Sequence, residues 1–202
     1  TEMENRGGPE AILVSSTHGH HPEWEGNTVA QLAQKLELTP VDAVLYILYQ
    51  CDAGVACIYF CIDKNDMFCI MRDMHVAVGS DGYSFTYDRS ITTTVPHPRS
   101  FGTFPRFLRL VREQRLMPLE DAVYKLTGLP AQILGLKDRG VLKEGAMADL
   151  TVFDPDSVAD QSEYTDSVKQ PLGIPYVLVG GTAAIWKGSA TGSRTGGVLI
   201  RE

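Results

Sequence analysis

Asp81 stands where many α/β enzymes carry a reactive carboxylate. It follows the apolar segment Val76–Val78, which we expect to be a buried strand, and it lies in the loop Gly79–Gly82. The reactive groups of α/β barrels and open sheets lie beyond the carboxyl ends of their strands. A carboxylate there can take a proton from a metal-bound water and return it to a leaving nitrogen. The alternative is that Ser80-Asp81-Gly82 is an ordinary turn that ends the strand.

His97 and Arg99 form a second candidate group, in the loop segment His97-Pro98-Arg99-Ser100 ahead of a predicted helix. The planar guanidinium of Arg99 can hold a carboxylate through two parallel hydrogen bonds, which the point charge of a lysine cannot reproduce. This pattern predicts a binding site for a carboxylate-bearing ligand. The alternative is a solvated surface arginine beside a structural proline.

Histidines and cysteines, the common ligands of transition metals, occur in two short clusters. His18, His20 and His21 are candidates for a metal site, but they begin a polar loop, and a solvent-facing group is the alternative. Four cysteines lie between Cys51 and Cys69 in an otherwise apolar region, without the close pairs of zinc knuckles. We predict that these cysteines are buried thiols in a reducing compartment rather than metal ligands or disulfides.

The elements that position these residues are predicted from hydrophobic periodicity and capping residues. Helices are expected after Asn27 or Thr28 and again after Thr39, because these side chains can cap a first turn. The run Val55–Ile62 is apolar on both faces and is expected to be a buried, parallel strand. A helix Lys64–Arg72 and the strand Val76–Val78 follow, and the order strand, helix, strand indicates an α/β fold. Further helices are expected at about Phe104–Gln114, at Pro118–Leu126 and from Pro130 to Gly135.

The character of the sequence changes near Gly140. We expect an α/β part over residues 1–140 and a β part over residues 141–202. In the second part, Leu150–Phe153 and Tyr176–Val179 are expected to be strands, and Gly180-Gly181 a two-residue hairpin turn. The segment from Gly140 to Leu150 is predicted to be a strand, a tight turn and a strand, with a structural role.

The composition excludes several classes of function. Lys and Arg total 18 against 25 Asp and Glu, and the formal net charge of −7 argues against a nucleic-acid-binding surface. The apolar stretches Ala43–Cys51 and Ala53–Ile62 fall short of the roughly 18–20 residues that span a bilayer. The polar residues 1–10 lack the order of a secretory signal. We therefore expect a cytoplasmic protein that binds neither nucleic acid nor membranes.

Three motifs, in this order and spacing, resemble the carboxyl-terminal half of the N-acyl-D-amino-acid deacylases (D-aminoacylases) of the metal-dependent amidohydrolase superfamily. They are Val-Gly-Ser-Asp-Gly at 78–82, His-Pro-Arg-Ser-Phe-Gly-Thr-Phe-Pro-Arg at 97–106 and Leu-Thr-Gly-Leu-Pro-Ala at 126–131. The resemblance implies the last part of a TIM-like (β/α)8 barrel over residues 1–140, followed by part of a small β-sandwich over 141–202. It also implies zinc-dependent hydrolysis of the amide bond of an N-acyl-D-amino acid.

The resemblance also implies roles for individual residues. Asp81 matches the catalytic carboxylate that deprotonates the zinc-bound water and then protonates the departing amine. Arg99 matches the arginine that holds the α-carboxylate of the substrate, and His97 belongs to the same substrate-binding motif. The family's His-x-His pair, bridging Cys and two further His ligands belong to its amino-terminal half, and nothing in this sequence replaces them. Zinc is therefore expected with an incomplete site, to which Asp81 is a possible ligand.

Two hypotheses for function follow. In the first, the chain is the carboxyl-terminal part of a deacylase whose other part is a separate, cleaved or unsequenced segment. In the second, it is a truncated, non-catalytic relative that acts as a binding or assembly module. A closed (β/α)8 barrel takes about 250 residues, more than the first 140 residues supply. Both hypotheses therefore predict that an amino-terminal half or another copy covers the open strand edges.

Overall fold

A computed structural model describes residues 2–92 and 95–199. The chain forms two compact units, and each is assembled from segments that alternate along the sequence. Unit 1 comprises residues 1–64, 81–101 and 162–169, and unit 2 comprises residues 65–80, 102–161 and 170–202. The boundary expected at residue 140 separates an α/β part from a β part by the type of secondary structure, whereas these units are defined by compactness. The boundary at residue 140 therefore stays a prediction.

The described residues form helices and strands at the following positions. The helices are α1 Glu2–Asn5, α2 Val29–Leu36, α3 Pro40–Gln50, α4 Lys64–Arg72, α5 Arg99–Gln114, α6 Leu119–Leu126 and α7 Gly128–Leu134. The strands are β1 Ile12–Ser16, β2 Ala56–Tyr59, β3 Leu150–Val152, β4 Tyr176–Val179, β5 Thr182–Trp186 and β6 Ser189–Ala190. No helix in this part of the chain is long and apolar enough to cross a bilayer.

The core of unit 1 lies where β1, α2 and α3 meet. Its buried side chains are Val14, Trp24, Leu32, Ile47 and Cys51. The predicted helix starts are confirmed. The Thr28 hydroxyl accepts a hydrogen bond from the Gln31 N–H, and the Gln31 side chain accepts one from the Thr28 N–H. This reciprocal pair satisfies two amide groups that a helix terminus leaves without partners. The Thr39 hydroxyl caps α3 in the same way, accepting from the Asp42 N–H.

The strand prediction for Val55–Ile62 is wrong in direction and in burial. The strand is shorter, Ala56–Tyr59, and it pairs antiparallel with β1, with Ile12 opposite Tyr59. Only Ile58 is buried, and β1 is the one strand that pairs with β2 in the described part of the chain. A continuous apolar run is thus no proof of a strand buried on both sides.

The cysteine prediction is wrong for three of the four thiols. Cys51 is buried, but Cys57, Cys61 and Cys69 are exposed. The error has the same origin as the strand error, because these three cysteines lie in β2, α4 and the loop between them. All four are free thiols.

The core of unit 2 is formed by α4, α5, α6 and the loop that contains Val158. Strands β3 to β6 form a four-stranded antiparallel sheet in chain order. The predicted hairpin is confirmed, since Gly180 and Gly181 join β4 to β5 with φ angles of 55° and 80°. A turn with positive φ at both central residues matches the twist of the flanking strands.

Val76–Val78 is not a strand, so the predicted order strand, helix, strand is wrong. The segment has irregular backbone, in which the Val78 N–H donates to the carbonyl of Lys125 at 3.3 Å. A strand needs a neighbour, and the described residues supply none beside it. The segment Gly140–Leu150 likewise contains the predicted turn at Glu144-Gly145 but forms a strand only from Leu150. Both sheets of the described chain are antiparallel. The (β/α)8 barrel and the β-sandwich therefore stay predictions.

A buried carboxylate fixes the middle of α5. The side chain of Asp160 is 2% exposed, and it forms ion pairs with Arg106 at 2.6 Å and Arg109 at 3.0 Å. These arginines are three residues apart and so lie on the same helix face. Gly102 allows the close approach, because a Cβ there would lie 2.9 Å from the Cβ of Asp160. Gly102 and Arg106, which both lie in the motif at 97–106, thus contact the same buried carboxylate.

Lys125, on α6, is fully buried, and its ammonium group donates to the carbonyl oxygen of Asp73. Burial lowers the pKa of Lys125, and the negative charge of the Asp73 carboxylate offsets part of that effect. A buried ammonium group is costly unless it is paired. This hydrogen bond holds the segment that precedes Asp81 against helix α6.

We predict that Lys125→Met removes a pH dependence of stability. Because the folded pKa is lowered, the unfolded chain binds this proton more tightly. The free energy of unfolding therefore rises with pH between the folded pKa and the ordinary value of 10.5. Urea unfolding from neutral pH up to this value should show the rise in the unaltered chain and in Lys143→Met, an exposed lysine variant. An equal rise in Lys125→Met would contradict the assignment.

Candidate functional site

Asp81 and Arg99 lie side by side in unit 1. Asp81 Oδ2 and Arg99 Nη1 are 3.1 Å apart, although 17 residues separate them in the sequence. The carboxylate is 87% exposed and the guanidinium 42% exposed. An ion pair this open to water contributes little to stability. Both groups can therefore take another partner at small cost.

A close approach of two backbone segments creates this pair. A Cβ at Gly82 would lie 2.9 Å from the Cα of Ser100 and 3.2 Å from the carbonyl oxygen of Arg99. Any larger residue at position 82 would therefore push the two segments apart. Asp81 itself has φ 48°, a left-handed conformation that aspartate and asparagine adopt more readily than most residues.

His97 and Arg99 are held by the start of α5. The Arg99 N–H donates to Nδ1 of His97 at 3.0 Å, and the Ser100 N–H donates to the His97 carbonyl. Because Nδ1 accepts this bond, the proton of the neutral ring is on Nε2. The imidazole also packs edge-on against Tyr164, with ring centroids 5.5 Å apart.

A cavity of about 530 Å³ opens beside these residues. The described residues of its wall all belong to unit 1, and His97 and Arg99 are among them. Asp81 pairs with Arg99 but is not among the described residues of the wall. The wall is formed by three stretches of chain, which contribute Ser15, Ser16 and His18, then Ala56–Tyr59, then Tyr83, Phe85, Val95–His97, Arg99 and Ser100.

Sequence reasoning missed the aromatic side chains that follow Asp81. Tyr83, Phe85 and Tyr87 alternate along the chain, and Phe85 and Tyr87 pack on Phe101 at centroid distances of 6.1 and 5.2 Å. This packing holds the segment against the first turn of α5, and burial raises the pKa of Tyr87. The alternation of aromatic and small polar residues between two motifs was the available signal, because it is typical of an extended segment with one covered face.

The described residues do not form a zinc site by themselves. Across residues 2–92 and 95–199, no three His, Cys, Asp or Glu side chains are grouped so that they could hold a metal ion. His18, His20 and His21 do not converge on one point. His18 lines the cavity, whereas His21 stacks on Trp24 at 3.8 Å and pairs with Glu23 at 2.8 Å.

Comparison with known proteins identifies the family. The sequence model of the amidohydrolase family matches residues 70–184, more than half of the chain. The chain belongs to the amidohydrolase family. Among curated relatives, the N-acyl-D-glutamate deacylase of Alcaligenes xylosoxydans xylosoxydans is 39% identical over 183 residues, which are 90% of this chain and 35% of the relative. The D-aminoacylase of the same organism is 39% identical over 182 residues, 89% of this chain and 35% of the relative.

A solved structure of a relative agrees with the sequence comparison. It is the N-acyl-D-glutamate deacylase from Bordetella bronchiseptica, complexed with zinc and a phosphonate inhibitor that mimics the tetrahedral intermediate of the reaction. It superposes with a TM-score of 0.75 at 36% identity, covering 90% of this chain and 36% of that chain. The resemblance to N-acyl-D-amino-acid deacylases is thus confirmed. The chain spans about a third of the length of these relatives.

We predict that Gly82→Ala destabilises the full chain by about 1–3 kcal/mol, because the added methyl group would meet the backbone of Ser100. Gly79→Ala is the matched control, since a Cβ at position 79 has no atom within 4 Å. Urea unfolding of the three proteins measures the difference. Equal stability of the two variants would show that the approach at Gly82 is not tight.

Proposed function

We propose that this chain supplies the carboxyl-terminal part of an enzyme that hydrolyses the amide bond of N-acyl-D-amino acids. The observation that carries the proposal is the 3.1 Å pair of Asp81 and Arg99 beside a cavity. Support comes from the deacylase names of the relatives and from their identities of 36–39% over almost the whole chain. The alternative, a non-catalytic binding or assembly module, has no specific observation in its favour.

Asp81 acts as the general base and then as the general acid in this proposal. Its carboxylate takes a proton from the attacking water, whose oxygen forms a bond to the acyl carbon. When the carbon–nitrogen bond breaks, the same proton passes from Asp81 to the leaving amine. An exposed carboxylate on a loop suits both steps, because water and substrate can reach either oxygen. Proton transfer of this kind contributes roughly 10²–10⁴-fold to rates.

Arg99 binds the α-carboxylate of the substrate in this proposal. A guanidinium has five N–H donors, so it can hold the substrate while it keeps one bond to Asp81. The shared guanidinium would fix the distance between the substrate's carboxylate and the catalytic one. His97 is on the same cavity wall, and we propose that it contacts the bound substrate through the ring edge that carries Nε2.

The metal and the rest of the enzyme belong to the same proposal. Zinc accompanies the inhibitor in the Bordetella bronchiseptica relative, and we extend metal dependence to this protein. The donors grouped in the described chain are too few for a metal site. The ligands would therefore come largely from polypeptide beyond this chain. The same polypeptide, or another copy, would supply the neighbours that a (β/α)8 barrel needs beside residues 76–78.

We predict that Asp81→Asn lowers the rate of hydrolysis by about 100- to 10 000-fold, because an amide cannot carry the proton. The assay mixes the chain with an amino-terminal half of a deacylase and zinc, and measures the acetate released from an N-acetyl-D-amino acid. Asp52→Asn is the matched control, since Asp52 is also exposed and has φ 47°. Activity of Asp81→Asn equal to that of the control would refute the proposed role.

We predict that Arg99→Lys raises KM by about 10- to 100-fold and changes kcat much less, because a lysine cannot form the bidentate bond. Arg115→Lys, an exposed arginine outside the cavity, is the control. Initial rates over a range of substrate concentrations separate the two constants. A loss confined to kcat would assign Arg99 to catalysis instead of binding.

A further inference from the structure

A tight turn in unit 1 carries an aromatic side chain at its tip. Residues 162–169 belong to unit 1, whereas the residues on either side of them belong to unit 2. The Glu163 N–H donates to the Asp166 carbonyl at 3.1 Å, and the Asp166 N–H donates to the Glu163 carbonyl at 3.2 Å. This reciprocal pair closes the turn in the manner of a two-residue hairpin. Tyr164 and Thr165 therefore stand at its tip.

Burial and ion pairs hold the base of this turn. Ser167 and Val168 are buried. The Asp166 carboxylate pairs with Arg89 and, at 3.0 Å, with Lys169. Hydrogen bonds from Lys169 and then Arg89 lower the pKa of Asp166, which favours its ionised, paired form. Arg89 also donates to the Val168 carbonyl at 3.4 Å. The turn is thus fixed to the loop that follows the catalytic carboxylate of the proposed function.

Tyr164 packs against two other rings of unit 1. It meets Phe60 at 90° with centroids 4.9 Å apart, and it meets His97 at 85° with centroids 5.5 Å apart. Perpendicular ring pairs at such distances are favourable, and they depend on the mutual orientation of the rings. Tyr164 is partly buried and is not among the described residues of the cavity wall, whereas His97 is. Tyr164 can therefore act on a bound ligand through the imidazole.

The hydrogen bond and the ring contact constrain different features of the His97 imidazole. The Arg99 N–H holds Nδ1 at 3.0 Å, which fixes the position of that atom but leaves the ring plane free to turn about it. The perpendicular contact with Tyr164 sets the plane. Together, the two contacts determine where the proton on Nε2 points.

We infer that Tyr164 is a positioning residue, which holds the plane of the His97 imidazole so that its Nε2–H meets the substrate in the cavity. The inference rests on the proposed function and adds to it a residue outside the described wall. A ring that is oriented before binding does not have to be ordered by the substrate, so less conformational entropy is lost on binding. The effect of Tyr164 therefore falls on substrate binding more than on the chemical step.

The first test is NMR of the ring nitrogens of His97 in the full chain at about pH 8.5, where an unperturbed imidazole is neutral. We expect well-separated Nδ1 and Nε2 signals, because one tautomer is fixed, and His97→Gln assigns them. Tyr164→Leu should move the two signals toward each other, since a mobile ring samples both tautomers. Tyr164→Phe should keep them apart, because the ring contacts with Phe60 and His97 survive. Tyr49→Leu, which removes an exposed tyrosine of α3, is the matched control.

Unchanged signals in Tyr164→Leu would overturn the inference, as would an equal loss of separation in Tyr164→Phe. His21, which stacks on Trp24, reports the fold of unit 1, and its signals should be the same in every variant. Should Tyr164→Leu fail to fold, cross-relaxation between the ring protons of Tyr164 and His97 in the unaltered chain decides. Its presence, with intact signals in Tyr164→Phe, would support the inference, and its absence would overturn it.

The second test uses the chain mixed with an amino-terminal half of a deacylase and zinc. We expect Tyr164→Leu to raise KM about 10-fold and to change kcat by less than about twofold, and Tyr164→Phe to behave as the unaltered chain. A loss confined to kcat would overturn the inference. Absence of hydrolysis in the unaltered assembly would instead refute the proposed function, and the NMR test, made without substrate, would still decide whether Tyr164 orients His97.

Discussion

The candidate site depends on one steric constraint, the contact between the backbone at Gly82 and the backbone at Arg99 and Ser100. No side chain can be placed between the two segments without moving one of them. The contact joins a loop carboxylate to a guanidinium at the start of a helix, and neither group needs burial to meet the other. The ion pair is therefore a result of backbone packing rather than its cause, in keeping with the small free energy of exposed pairs.

Different contacts hold the chain in place in the two units: aromatic packing in unit 1 and a buried ion pair in unit 2. In unit 1, aromatic rings from residues 83–87 pack on Phe101 and hold the loop beside α5. In unit 2, the buried carboxylate of Asp160 between two arginines fixes the body of the same helix. Such a carboxylate is costly to bury unless its charge is matched, so its partners and its close neighbour Gly102 are constrained together.

Local sequence signals predicted the helices well. Features that depend on contacts between distant segments could not be predicted from the sequence. The Thr28 and Thr39 caps, the helix Lys64–Arg72 and the turn at Gly180-Gly181 depend on neighbours in sequence, and all are present. The strand expected at 76–78 needed a partner that the described residues lack. The exposure of Cys57 and the aromatic wall of the cavity depend on which segments meet in space, and no periodicity reports that. Asp81 and Arg99 were found through motifs, whereas their 3.1 Å separation required coordinates.

The alternation of segments between the units has a consequence for their inheritance. The residues of unit 1 are divided among three stretches of sequence, and residues of unit 2 stand between them. A single recombination breakpoint within residues 65–169 would thus divide both units at once. Exchange of genetic material with a homologue would preserve them only when the whole region passes together, so these two bodies are expected to evolve as one heritable block.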